Sequence, residues 1–123
     1  MNYLDYAATT PVNAEVLEVI TKEMASFGNP SSVYRIGREQ KQKIERVKKA
    51  ILSELQASPH DAIIFTSSGS EGNNLVFESI REHFAKEKGH IIVSAVEHPS
   101  VRKPAEFLEQ EGFDVTYLAP NKD

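Results

Sequence analysis

Ile63-Ile64-Phe65-Thr66-Ser67-Ser68-Gly69-Ser70-Glu71-Gly72-Asn73-Asn74-Leu75 runs from a short apolar β-type segment, through a Ser/Gly turn, into an amphipathic helical pattern. That order puts several backbone N–H groups at a helix N-terminus, beside two or three hydroxyls. Unpaired amides and the positive end of the helix dipole favour an anion there, a phosphate above all. The same residues also read as an ordinary N-cap, because Ser and Asn are favoured at that position. Taken alone, the turn leaves both readings open. Glu71 reads either as a first-turn acid complementing the dipole or as a ligand contact, and Asn73 and Asn74 as site residues or as polar positions of the first turn.

Working outward toward the C-terminus, the pattern alternates. A strand over Ala62–Thr66 leads into a helix from about Ser70 to Lys88. A strand over His90–Ser94 leads into a helix from about Pro99 to Gln110, and a strand over Asp114–Leu118 follows. Gly89 and Gly112 stand where helix C-caps are expected. This β-α-β-α-β order predicts right-handed crossover units of a parallel sheet. The fold class is therefore α/β, an N-terminal helical arm followed by the start of a mostly parallel sheet with helices on both faces. Three short parallel strands make a poor sheet by themselves, and the residues run out where another crossover helix should begin. The chain is thus expected to be the first part of something larger.

Toward the N-terminus, Tyr3-Leu4-Asp5-Tyr6 reads as a short strand-like piece. Pro11, after a threonine cap, predicts a helix to about Ser26, with Val16, Leu17, Val19 and Ile20 as its apolar positions. Gly28-Asn29-Pro30-Ser31-Ser32 is a turn cluster. A long helix follows from about Val33 to Gln56, its apolar stripe built from Ile36, Ile44, Val47, Ile51 and Leu55. The opposite face is basic, through Arg35, Arg38, Lys41, Lys43, Arg46, Lys48 and Lys49. Interspersed Glu39, Glu45 and Glu54 favour a solvated face over a nucleic-acid surface. The expected division is residues 1–58, with two helices, and residues 59–123, the alternating region.

Composition narrows the function classes. The 123 residues carry a net charge of −4, which gives no reason to expect nucleic acid or an anionic membrane as a partner. No apolar run approaches the roughly 20 residues of a membrane span. Met1-Asn2-Tyr3-Leu4-Asp5 lacks the basic and apolar regions of a signal peptide. Cysteine is absent, which fits a reducing, cytoplasmic setting and removes thiol chemistry from these residues. His60, His83 and His90 show no ligand spacing with one another or with nearby carboxylates, so no metal site is expected.

Ligands of open α/β sheets sit beyond the carboxyl ends of the strands. Two groups fall there: the Ser67–Asn74 turn, and Val96-Glu97-His98-Pro99-Ser100. If their strands are neighbours, His98 stands near the anion of the first turn, where an imidazole can stack on a planar ring or transfer protons. Without other features, His98 also reads as a loop histidine ahead of a Pro-started helix. Ser-Ser-Gly-Ser-Glu-Gly matches the dinucleotide fingerprint only in part, because its first glycine is missing.

Tyr3-Leu4-Asp5-Tyr6-Ala7-Ala8-Thr9-Thr10-Pro11, Phe27-Gly28-Asn29-Pro30-Ser31-Ser32, Phe65 to Asn74, and Glu97-His98-Pro99-Ser100-Val101 together resemble the N-terminal part of cysteine desulfurases. These are fold-type I pyridoxal 5'-phosphate enzymes of the class-V aminotransferase group, and the four motifs stand in the family's order across nearly the whole chain. The resemblance implies a parent enzyme that converts L-cysteine to L-alanine and a protein-bound persulfide, used in iron–sulfur cluster assembly or thio-cofactor synthesis. It implies that Gly69 and Ser70 bind the cofactor phosphate. His98 would stack on the pyridine ring and assist proton transfers, and Ala8, Thr9 and Asn29 would line the substrate side. Sulfur-acceptor proteins and a homodimer are implied as partners.

This chain departs from the family pattern in places. Ser68-Gly69-Ser70 stands where Gly-Ala-Thr or Gly-Gly-Thr is commoner, with the hydroxyl retained, and Tyr34 stands where relatives often have histidine. The Schiff-base lysine in its Ser-His-Lys context, the aspartate facing the pyridine nitrogen and the sulfur-receiving cysteine lie further on in relatives. None of the nine lysines here is in a matching motif, so the 123 residues alone are expected to be inactive. Two alternatives accompany this reading: a selenocysteine lyase or another class-V enzyme, and a non-catalytic module binding a phosphate ligand.

Overall fold

The computed structural model describes residues 2–121. The polypeptide divides into two compact units, Met1–Ile63 and Ile64–Asp123.

In the first unit, Tyr3–Tyr6 forms no strand. The Tyr3 hydroxyl donates to the backbone carbonyls of Asp5 (2.7 Å) and Thr9 (3.0 Å), which ties residues 3–9 into a turn. Helix α1 spans Ala14–Met24, three residues later than Pro11 suggests. Asn13 is extended and its side chain accepts from the Glu15 amide at 2.8 Å, so the better capping residue sets the start. Helix α2 spans Arg35–Glu54, shorter at both ends than 33–56. Tyr34 is still extended, and Gln56 turns left-handed at φ 51°. The Ala57 amide then reaches back to the Leu52 carbonyl at 2.9 Å and that of Gln56 to Ser53 at 3.1 Å, the paired closing bonds of a Schellman ending. Gly37 admits the Asn29–Ser32 turn against α2: a Cβ there would stand 2.5 Å from the Asn29 carbonyl oxygen.

The second unit holds α3 (Gly69–His83), β1 (His90–Ser94), α4 (Pro99–Gln110) and β2 (Asp114–Leu118). Strands β1 and β2 pair in parallel, with Ile92 opposite Thr116, and α4 is the crossover between them. The three C-terminal elements coincide with the boundaries read from the sequence. Residues 62–66, expected as a strand, make no ladder: among the described residues the sheet consists of β1 and β2 alone, so the amides and carbonyls of 62–66 lack the partner a strand requires. Helix α3 ends at His83, five residues before Lys88. The left-handed residue after it is Lys88, φ 47°, so Gly89 is not a C-cap. Gly112 does take that role for α4, at φ 92°.

Alternation along the strands decides the core. Ile91, Val93, Val115 and Tyr117 face a cluster of Phe77, Ala105, Leu108 and Phe113, to which α3 also adds Ile80. Helices α3 and α4 therefore serve one face of this pair of strands, while Ile92, on the other face, stays 59 % exposed. Among the described residues no helix is long and apolar enough to cross a membrane, and no cluster of His, Asp or Glu could hold a metal ion.

Candidate functional site

The helix of the Ser/Gly turn begins where its capping chemistry dictates. Ser68 is extended and its Oγ accepts from the Glu71 amide at 3.2 Å. The Glu71 carboxylate turns back and accepts from Ser67, from the amide at 2.6 Å and from the hydroxyl at 2.5 Å. This reciprocal arrangement is a capping box shifted by one residue. The two Ser67 donors, hydroxyl first, hold the Glu71 carboxyl below the usual carboxylate range. Glu71 thus works as a cap, while the Gly72 amide closes the first helical bond to Ser68 at 3.1 Å. Among the described residues the amides of Gly69 and Ser70 and the Ser70 hydroxyl have no protein acceptor, and a Cβ at Gly69 would meet nothing within 4 Å. Three donors on two successive residues are left for an anion.

The second group forms the N-terminus of α4. His98 is its N-cap: the imidazole Nδ1 accepts from the Ser100 amide at 3.1 Å and lies 2.9 Å from the Ser100 hydroxyl. Asn73, in the second turn of α3, donates from Nδ2 to that hydroxyl at 3.0 Å. The hydrogen bond brings the starts of α3 and α4 side by side, so two positive helix ends adjoin. Between the helices runs a cleft of about 460 Å³, lined by Ser70 and Asn74 from α3 and by His98, Ser100, Lys103 and Phe107 on the α4 side. Its charged side chains are matched locally: Lys103 pairs with Glu106 at 2.7 Å, and Glu78 with Arg81. Asn74 is spent within its own helix, donating to the Ser70 carbonyl at 2.8 Å.

Ser70 and His98 therefore line one cavity, with Gly69 adjacent in the chain. The other predicted residues belong to the first unit. The Ala8 amide donates to the Asp5 carbonyl at 3.1 Å, that of Thr9 reaches the same carbonyl at 3.5 Å, and Asn29 Oδ1 accepts from the Ser31 amide at 2.9 Å in an Asx turn. Sequence reasoning missed the link through Ser100. Its only trace is that Asn73 and Ser100 each stand just inside the start of consecutive helices.

A family model, aminotransferase class-V, matches residues 2–123. The chain belongs to the class-V aminotransferase family. It is 43 % identical over 122 residues to the cysteine desulfurase IscS of Dictyoglomus turgidum, covering 98 % of this chain and 31 % of that protein. It is 38 % identical over 139 residues to the selenocysteine lyase of Bos taurus, covering 98 % of this chain and 32 % of the relative. Among solved structures, SspA in complex with cysteine superposes with a TM-score of 0.85 at 40 % identity, over 98 % of this chain and 35 % of the other. The chain thus spans about a third of the length of these relatives. Enzymes of the class-V family use pyridoxal 5'-phosphate. The free donors of Gly69 and Ser70 suit its phosphate, and the imidazole at the mouth of the same cleft suits an aromatic ring face.

Proposed function

We propose that these residues are the N-terminal portion of a pyridoxal-phosphate-dependent cysteine desulfurase acting on L-cysteine to give L-alanine and a protein-bound persulfide. The observation that carries the reading is the pairing, in one cleft, of a helix start with unclaimed amide and hydroxyl donors and a histidine at the next helix start. Gly69 and Ser70 bind the phosphate through two amides and one hydroxyl, aided by the α3 dipole. His98 covers the ring and carries protons at Nε2, since Nδ1 is engaged as the N-cap acceptor. Ala8, Thr9 and Asn29 line the substrate side. Residues 1–58 form the arm and 59–123 open the cofactor-binding domain. When bound, the cofactor supplies an electron-withdrawing ring that stabilises charge developing on the substrate carbon. The working enzyme is a cytoplasmic homodimer that passes sulfur to acceptor proteins, and the 123 residues alone are inactive because their nine lysines include none in the anchoring motif.

A second reading, selenocysteine lyase, is favoured by the 38 % identity to the bovine enzyme of that name. One experiment addresses both: the full-length protein carrying these residues is loaded with pyridoxal phosphate and given L-cysteine or L-selenocysteine. Alanine formation from L-cysteine supports the desulfurase, whereas turnover of L-selenocysteine alone replaces it with the lyase. Ser70→Ala is expected to weaken cofactor binding about tenfold, the effect of one lost hydrogen bond to a charged group. Unchanged binding in Ser70→Ala together with Gly69→Pro, which removes one amide donor, refutes the phosphate assignment.

A further inference from the structure

We propose that Asn73 and Ser100 are positioning residues: Ser100 holds His98 as the Nε2–H tautomer, and Asn73, by orienting the Ser100 hydroxyl onto Nδ1, fixes the ring relative to the turn at Gly69 and Ser70. The inference rests on the reading of His98 in the proposed function and adds to it the groups that orient the imidazole.

The direction of the hydrogen-bond chain follows from which atoms can only donate. The Ser100 amide lies 3.1 Å from His98 Nδ1 and has nothing to offer but its hydrogen, so Nδ1 presents a lone pair. In the neutral ring the proton then belongs to Nε2, which has no protein partner among the described residues. The Asn73 amide nitrogen, 3.0 Å from Ser100 Oγ, is likewise a pure donor and occupies an oxygen lone pair. The single hydroxyl hydrogen of Ser100 is thereby turned toward Nδ1, 2.9 Å away. With the Asn73 amide reversed, its oxygen would take the hydroxyl hydrogen. Ser100 Oγ and Nδ1 would then face each other with lone pairs only, so the donor orientation is the consistent one.

Two consequences follow. The proton-carrying nitrogen of His98 is set by Ser100, through both backbone and side chain, and not by the ring's intrinsic preference. The relay also bridges two helices: Asn73 sits four residues after Gly69 on α3, and Ser100 two after His98 on α4. The distance between phosphate turn and imidazole is therefore braced by one interhelical hydrogen bond. Both members are half-buried, which shields the bridge from water.

The test uses the full-length protein with its histidine rings labelled with ¹⁵N, in the cofactor-free and loaded forms. The wild type is expected to show His98 with an unprotonated Nδ1 and a protonated Nε2. Ser100→Ala retains the backbone cap and removes only the hydroxyl. It and Asn73→Ala are expected to keep the Nε2–H form, which the backbone cap holds, but to move the His98 Nδ1 ¹⁵N resonance toward that of an unbonded ring nitrogen as the hydroxyl donor is removed or freed, and Ser100→Thr, which restores the hydroxyl, to return it. In the loaded enzyme, kcat should fall roughly tenfold in both alanine variants with KM little changed, a fraction of the 10²–10⁴ that a placed acid–base group supplies. A His98 Nδ1 resonance unaltered in Ser100→Ala and Asn73→Ala overturns the inference whatever the activity. Unaltered turnover and cofactor absorbance in His98→Gln instead overturn the underlying placement of His98 in the site, a result separable from the ¹⁵N measurement.

Discussion

Gly112 sits one residue past the C-cap of α4 at φ 92°, a conformation that side chains with a Cβ resist. Its own amide returns to the Glu109 carbonyl at 3.0 Å, and the next amide, of Phe113, to Leu108 at 3.0 Å. Both members of that second bond lie in the core, so the left-handed turn also brings Phe113 onto Leu108. A Cβ at Gly112 would meet no atom within 4 Å, which leaves backbone strain as the whole cost of adding one. Gly112→Ala should therefore destabilise by about 1 kcal/mol, the left-handed penalty less the entropy removed from the unfolded chain. Urea denaturation followed by circular dichroism measures it; an unchanged midpoint would mean that the turn relaxes without strain.

At the level of elements, legibility followed the source of each element's hydrogen bonds. Helix α4 and strands β1 and β2 were readable to the residue because Pro99, Gly112 and the apolar runs mark their ends, and each finds its partner nearby in sequence. Residues 62–66 carry the same β-type composition, yet a strand needs an edge, and the pattern of Ile63-Ile64-Phe65 says nothing about where one is. The start of α1 went to Asn13 because a side-chain acceptor outweighs a proline's fixed φ. In the candidate site, Gly69, Ser70 and His98 are singled out by their motifs, whereas the Asn73–Ser100 bridge is a tertiary contact that periodicity cannot encode. The capping of α3 carries its own prediction. Ser67 donates to the Glu71 carboxylate and lowers its pKa, so the folded state binds that proton more weakly than the unfolded chain does. The stabilisation is present above the unfolded carboxylate pKa, about 4.3, and is lost as pH falls through the lower folded value. Thermal melts at about pH 6 and about pH 3 should therefore show a larger drop for the wild type than for Glu71→Gln; equal drops would mean that the carboxylate contributes no pH-linked stability.

Across the whole chain, stability is unevenly distributed. Among the described residues the buried apolar side chains are Phe77, Ala105, Leu108 and Phe113, all in the unit over 64–123, and of these Leu108 alone is large and completely enclosed. In the other unit the apolar residues of α1 remain largely exposed, and its ties are surface ones, such as Lys43 to Glu23 at 2.7 Å. A pair of that kind contributes at most about 1 kcal/mol. Local opening is therefore cheapest where backbone groups lack both ladder and core, and dearest at the β1–β2 pairing beneath α4. Amide hydrogen exchange of the 123-residue chain should reflect that order. The slowest amides are expected in Ile91–Val93, Val115–Tyr117 and around Leu108, and fast exchange in residues 3–12 and 62–66. Adding residues from the full-length protein should slow 62–66 selectively if those amides gain a neighbouring strand, because their composition already suits one. Strong protection of 62–66 in the short chain would contradict the absence of a ladder there and would require a pairing other than β1 with β2.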